Sequence, residues 1–219
     1  MATKYFLDTE ANGDWNDAGN WWLNDDGTGA TTIPTTSDDV ILLASVTTNS
    51  GDPAVCNTLV MPDSGFASHV LDCGGVTTIA GATFGGSSIN NTTVNGGAVF
   101  NGSSSNGSGT VNGGAVFNGG YNSAAGAVND GAVFNTNSDN QGAVEGGAVF
   151  NDAYNNGGTV NGGAVFNGTA YNFSGGTCDT AVYAATAAAY QLANNYAGTV
   201  IGSCTVRIGI NGSSILGLL

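Results

Sequence analysis

The octet Val-Asn-Gly-Gly-Ala-Val-Phe-Asn stands intact at residues 94–101, 111–118 and 160–167, with close copies at 128–135 and 144–151. Anchored on its aromatic position, the repeat runs through Phe84, Phe100, Phe117, Phe134, Phe150, Phe166 and Tyr183 at intervals of 16 or 17 residues. A weaker copy at 200–207 puts Val206 in the aromatic position after an insertion of about six residues, so the periodic region spans roughly 78–207. A unit this short cannot bury a core alone and must stack on its neighbours.

The columns of the repeat define its geometry. The first holds Thr78, Val94, Val111, Val128, Val144, Val160, Thr177 and Val200. Four residues later come Ala82, Ala98, Ala115, Ala132, Ala148, Ala164, Ala181 and Cys204, and two further on the aromatic column. Offsets of 0, 4 and 6 are all even, so in an extended strand these side chains share one face, the buried one. Glycine at offset 2 leaves room or bends the backbone. A helix is excluded by the glycines, the β-branched residues and the Asn/Gly/Ser loops. Neither a heptad nor a Gly-X-Y period is present, which excludes coiled coil and collagen. The expected fold is all-β: a parallel β-solenoid of 16–17-residue coils with an N-terminal capping region. Eight coils at about 4.8 Å each would give a rod on the order of 40 Å long.

Four further columns each admit two roles. Asn101, Asn118, Asn135, Asn151 and Asn167 follow the aromatic, and Asn90, Asn106, Asn122, Asn140, Asn155 and Asn172 lie further along each unit. Aligned amides can hydrogen-bond from coil to coil, or Asn can simply suit a corner. Val99, Val116, Val133, Val149, Val165 and Val182 sit at odd offset. Either they form an apolar stripe outside, an interface that a trimer of parallel solenoids would bury, or the glycine bend resets the alternation and sends them inward. Tyr121, Tyr154 and Tyr171 align with Ile89. They are read first as a second core layer and alternatively as exposed sugar contacts.

Composition narrows the functional classes. Lys4 and Arg207 are the only basic side chains against 16 acids, a net charge of −14. Phosphate binding needs Lys and Arg, so nucleic-acid and anionic-membrane partners are not expected. Only 8% of residues are charged, yet the apolar periodicity argues against disorder. No stretch is long enough to cross a membrane as a helix. No signal peptide is evident at the start, although the composition looks extracellular; a virion component released by lysis would reconcile the two. The expected organisation is a cap or attachment region over 1–75, regular solenoid over 76–183, and a degenerate last coil and cap over 184–219.

The ends hold most remaining candidates. Strands are expected at Lys4–Leu7, Asp39–Leu43, Asn57–Met61 and His69–Leu71, beside Trp15, Trp21 and Trp22. The apolar end 215–219 could cap the last coil. Cys56, Cys73, Cys178 and Cys204 make no CxxC pair, so a zinc site is not expected; Cys56 and Cys73 are 17 apart and could stack as a disulfide. His69 is the sole histidine, with no nucleophile placeable beside it. The acid pairs Asp25-Asp26 and Asp38-Asp39 could serve glycoside cleavage, but the repeats do not gather acids in one column. The segment 24–27 matches only part of a calcium loop. No enzyme activity, cofactor or metal is expected.

The pattern Gly13-Asp14-Trp15-Asn16, Asn20-Trp21, then Ile33-Pro34 and Ser37-Asp38-Asp39-Val40-Ile41-Leu42 resembles the opening of large β-helical repeat proteins of bacterial surfaces and phage particles. The coil V-x-G-x-A-V-F-N is similar to their V-x-G-x-A-T-F-N coils. The resemblance covers most of the chain. It implies a fibre, spike or adhesin role. The partners expected are further copies of the chain at the valine stripe, other virion or surface proteins at the termini, and host glycans at the tyrosines.

Overall fold

The computed structural model describes residues 2–47, 54–63, 68–74, 76–173, 175–185, 194–196, 198–202 and 204–208. Each regular coil makes three short strands, as in Thr93–Asn95, Ala98–Asn101 and Ser105–Asn106. The next coil repeats them at Thr110–Asn112, Ala115–Asn118 and Tyr121–Asn122. Successive coils pair in parallel with like residues opposite: Val111 on Val94, Ala115 on Ala98, Phe117 on Phe100. Among the described residues, the first two strand columns belong to one nineteen-stranded sheet and the third to an eight-stranded sheet. The fold is the parallel β-solenoid that the repeat predicts.

The even offsets do point inward. Val94, Val111, Val128, Val144 and Val160 are fully buried, the alanines nearly so, and Phe84 through Phe166 fully. Along the aromatic column ring centroids lie 4.6–4.9 Å apart and planes deviate by 4–10°. That spacing is the strand spacing, so the backbone ladder dictates it and each ring packs on its own image in the next coil. Burying one Phe contributes about 1.5–3 kcal/mol. The glycine pair is required by the same close stacking. Gly97 has φ +84°, and a Cβ there would stand 3.0 Å from the carbonyl oxygen of Gly113. Only glycine accepts that backbone at that distance without strain.

Both asparagine columns form ladders. Asn90, Asn106, Asn122, Asn140, Asn155 and Asn172 are fully buried. Each Nδ2 donates to the Oδ1 of the next coil's asparagine at 2.8–2.9 Å. The outer column runs the opposite way: Asn118 donates to Asn101, Asn135 to Asn118, Asn151 to Asn135 and Asn167 to Asn151, at 2.8–3.0 Å. A third ladder, not foreseen, joins Asn129 to Asn112 and Asn112 to Asn95. There Glu145 replaces asparagine and accepts from Asn161 at 2.7 Å. A buried amide is tolerated because its neighbours above and below complete its hydrogen bonds.

Two column assignments change. Val76, not Thr78, pairs with Val94, because the strand Val76–Phe84 carries two more residues before its alanine than later coils do. Cys178, not Thr177, pairs with Val160 and is fully buried there. Cys56 is a buried thiol, so the Cys56–Cys73 disulfide does not form. The side chain of Cys204 and the segment 215–219 lie outside what is described, as does most of the Ala-rich insertion.

The ladder extends toward the N-terminus. Strand β1 (Thr3–Phe6) is flanked by β2 (Trp21–Trp22), antiparallel, and by β3 (Asp39–Leu42), parallel. β3 pairs with β4 (Ala54–Met61); β5 (Val70–Leu71) starts the eight-stranded sheet; β4 pairs with β6 (Val76–Phe84). The expected cap strands therefore occur, with β4 longer than expected and His69 just before β5. Two-residue β2 covers the outer edge of β1, an edge that would otherwise recruit another chain. Phe6, Trp15 and Trp21 plug the end of the core, Trp21 edge-on to both partners at 5.1 and 4.9 Å. Trp21 Nε1 donates to the Trp15 carbonyl at 2.7 Å.

The alanine column continues through Leu59 and Val40 to Lys4, whose side chain is 6% exposed. Its ammonium lies 3.0 Å from Asp38 Oδ2 and donates to the Thr32 hydroxyl and the Ile33 carbonyl. Burial opposes ionisation of Asp38, but hydrogen bonds from Lys4 and Thr35 and the Lys4 charge outweigh it, holding the carboxyl at about 2 against 3.8. A carboxyl lowered in the folded state adds stability above pH 3.8 that is lost as pH falls toward 2. Lys4→Ala should cost about 2–3 kcal/mol at neutral pH by stranding that carboxylate, with a smaller loss at low pH, read by urea titration across pH. Phe134→Ala, which opens a hole in the ring stack, should cost about 3–5 kcal/mol in the same assay.

Candidate functional site

The core is filled, so the surfaces available for recognition are the outward faces of the coils. The odd-offset valines lie on one of them. Val99, Val116, Val133, Val149, Val165 and Val182 are half-buried, between alanines and aromatics that are buried. The glycine bend therefore does not turn them inward; the alternation is maintained through Ala-Val-Phe-Asn. The stripe continues through Thr83, Val60, Ile41 and Tyr5, each paired with the next. Beside it the glycine pairs leave the surface without side chains. Glycine, alanine and valine positions from Thr58 to Val182 line one continuous open groove of about 940 Å³. Asp130 is the one charged residue lining it. It stands where the intact octets have glycine and takes φ +69°.

The eight-stranded sheet presents a different face. Tyr121 is 39% exposed, and Tyr154 and Tyr171 are half-buried. They do not form a second core layer, because their neighbours Asn122, Asn155 and Asn172 take the inward positions. Tyr154 and Tyr171 stack at 6.0 Å, and Phe173 joins both at 5.6 and 5.4 Å. Sequence reasoning missed Phe173; its signal was the two-residue spacing from Tyr171, which returns it to the same face.

Asp139 interrupts this aromatic column, paired with Tyr121 on one side and Tyr154 on the other. Its Oδ2 accepts from Gln141 Nε2 at 2.9 Å and Asn156 Nδ2 at 3.5 Å, while Oδ1 is buried without a hydrogen-bond partner. Burial raises its carboxyl above 3.8, and the bonds from Gln141 and Asn156 only partly offset that.

The remaining candidates are structural. Asp38 holds Lys4, and Asp39 accepts from Asn57 and Thr58 at 2.8 Å. Asp26 folds a local turn onto the backbone and hydroxyl of Thr28. His69 Nδ1 has no hydrogen-bond partner, and burial lowers its basicity. Among the described residues, no three His, Cys, Asp or Glu side chains converge as a metal site requires. No helix of the described chain is long and apolar enough to cross a membrane.

The fold and faces define a β-solenoid repeat protein. Comparison with protein-family models, with curated proteins and with solved structures finds no match to this chain.

A carboxyl raised in the folded state favours the fold only while protonated, so Asp139 destabilises increasingly as pH rises above 3.8. Asp139→Asn retains an acceptor for Gln141 and removes that charge. It should raise the melting temperature at pH 7 and leave it unchanged below pH 3.8, as followed by circular dichroism.

Proposed function

We propose that this protein is a non-enzymatic structural rod of a phage particle, a tail fibre, head fibre or decoration, that self-associates through the valine face and meets host-surface glycans through the tyrosine face. One observation carries the reading. The positions held constant from coil to coil stack on their copies in the next coil, and one apolar position among them, the odd-offset valine, faces outward in an unbroken line. A chain with that distribution invests its sequence in length, stiffness and lateral contact. Low charge with almost no Lys or Arg supports a rod that avoids nucleic acid and anionic membranes in the host. The resemblance of the N-terminal segment and of the coil motif to phage and bacterial-surface proteins supports the mounting.

Mass spectrometry of purified particles should identify this chain. Its absence from particles, with labelling at the bacterial surface instead, would replace the reading with that of a cell-surface adhesin or filament subunit. Release of reducing ends from host capsule by the purified protein would contradict the non-enzymatic part.

A further inference from the structure

The valine stripe forms one wall of the glycine-floored groove, so that on one face a ridge borders a trough. We infer that two copies of this chain pair along their length, parallel, about a two-fold axis running along the rod, with the valine ridge of each seated in the glycine groove of the other. This deepens the self-association part of the proposed function and is independent of where the rod is mounted.

Three observations lead to a second copy as the occupant. The first is period. The valines repeat at the coil spacing of about 4.8 Å, and a ladder with that period meets matching knobs and holes only in a partner with the same period. The second is charge. At −14, copies of this chain repel one another through most faces. The groove from Thr58 to Val182 carries a single charge, Asp130, so contact there costs least.

The third is symmetry. Rotation about an axis parallel to the rod exchanges left and right and preserves up and down, so each ridge meets the other copy's trough. An antiparallel pair would set ridge against ridge. In the parallel pair the flanking columns also match: the Asn95–Asn112–Asn129 ladder of one copy faces the Asn101–Asn118–Asn135 ladder of the other. The result is an apolar centre with amide rims, the usual anatomy of a specific interface. From Val60 to Val182 the column makes seven steps, about 34 Å, and the face is about 20 Å wide. That is on the order of 670 Å² per partner, above what a specific contact needs.

Light scattering of the purified chain should give about twice 21.6 kDa at micromolar concentration. The double substitution Val116→Asp and Val149→Asp should give a monomer with an unchanged far-ultraviolet spectrum, because both side chains face outward and, two coils apart, the new charges are not ladder partners. Asp130→Gly, which restores the octet's glycine and empties the groove of charge, should tighten the pair by tenfold or more. Polarity is read with Val99→Cys and a short bismaleimide, against the unsubstituted chain, whose Cys56 and Cys178 are buried. A parallel pair cross-links efficiently. An antiparallel pair over the same columns, Val60 to Val182, separates the two sites by three coil steps, about 14 Å, beyond the reach of a short linker, and does not. A monomer at hundreds of micromolar, a trimer, or a dimer indifferent to the aspartates overturns the inference. None of these outcomes bears on whether the chain is found in particles.

Discussion

Everything in this molecule depends on the parallel backbone ladder between coils, which places each residue about 4.8 Å from its counterpart one turn away. A side chain therefore has to suit a copy of itself. Phenylalanine satisfies that condition by stacking, alanine and valine by van der Waals contact, and asparagine by donating to one neighbour while accepting from the other. Serine does not repeat so strictly, and where Ser104 and Ser138 occur they bond instead to the backbone of earlier coils. Charged side chains fail the test, because like charges a coil apart repel. The scarcity of Lys, Arg, Asp and Glu in the repeats follows from the ladder.

Much of this was legible in the sequence because the even offsets of Val, Ala and Phe translate directly into one face of a strand. The parts that were not legible have physical reasons. At the third strand of each coil the usual polarity is inverted: asparagine points in and tyrosine out. Reading Tyr121, Tyr154 and Tyr171 as a core layer applied the rule that aromatics are buried, a rule the asparagine ladder suspends by satisfying its own amides. Thr78 and Thr177 were misplaced because columns counted at constant offset cannot register two extra residues in β6 or one fewer after Cys178. The direction of the odd-offset valines was undecidable from sequence, since a glycine pair can either maintain or reset alternation.

The two faces divide the surface by chemistry. One is apolar, glycine-floored and almost without charge; the other is aromatic and interrupted by a carboxylate that is strained by burial. The N-terminal end is finished by an antiparallel pair and an aromatic plug, with the Lys4–Asp38 pair sealing the alanine column. The interior is consumed by stacking, so variation compatible with the fold is confined to outward positions, and Asp130, Asp139 and Glu145 are places where single coils depart from the pattern.

The opposed directions of the asparagine ladders have an electrical consequence. In each ladder the amides are ordered head to tail like hydrogen-bonded molecules in a file of ice, and each file carries an axial dipole. The buried file donates toward later coils, whereas both outer files donate toward earlier ones. Their polarisations oppose, so the buried file offsets one of the two outer files and the axial dipole grows more slowly as coils are added. Reversing one amide would break its bonds on both sides, so each file can change sense only as a unit. At Glu145, which accepts from Asn161 but cannot donate onward to Asn129, that file is interrupted.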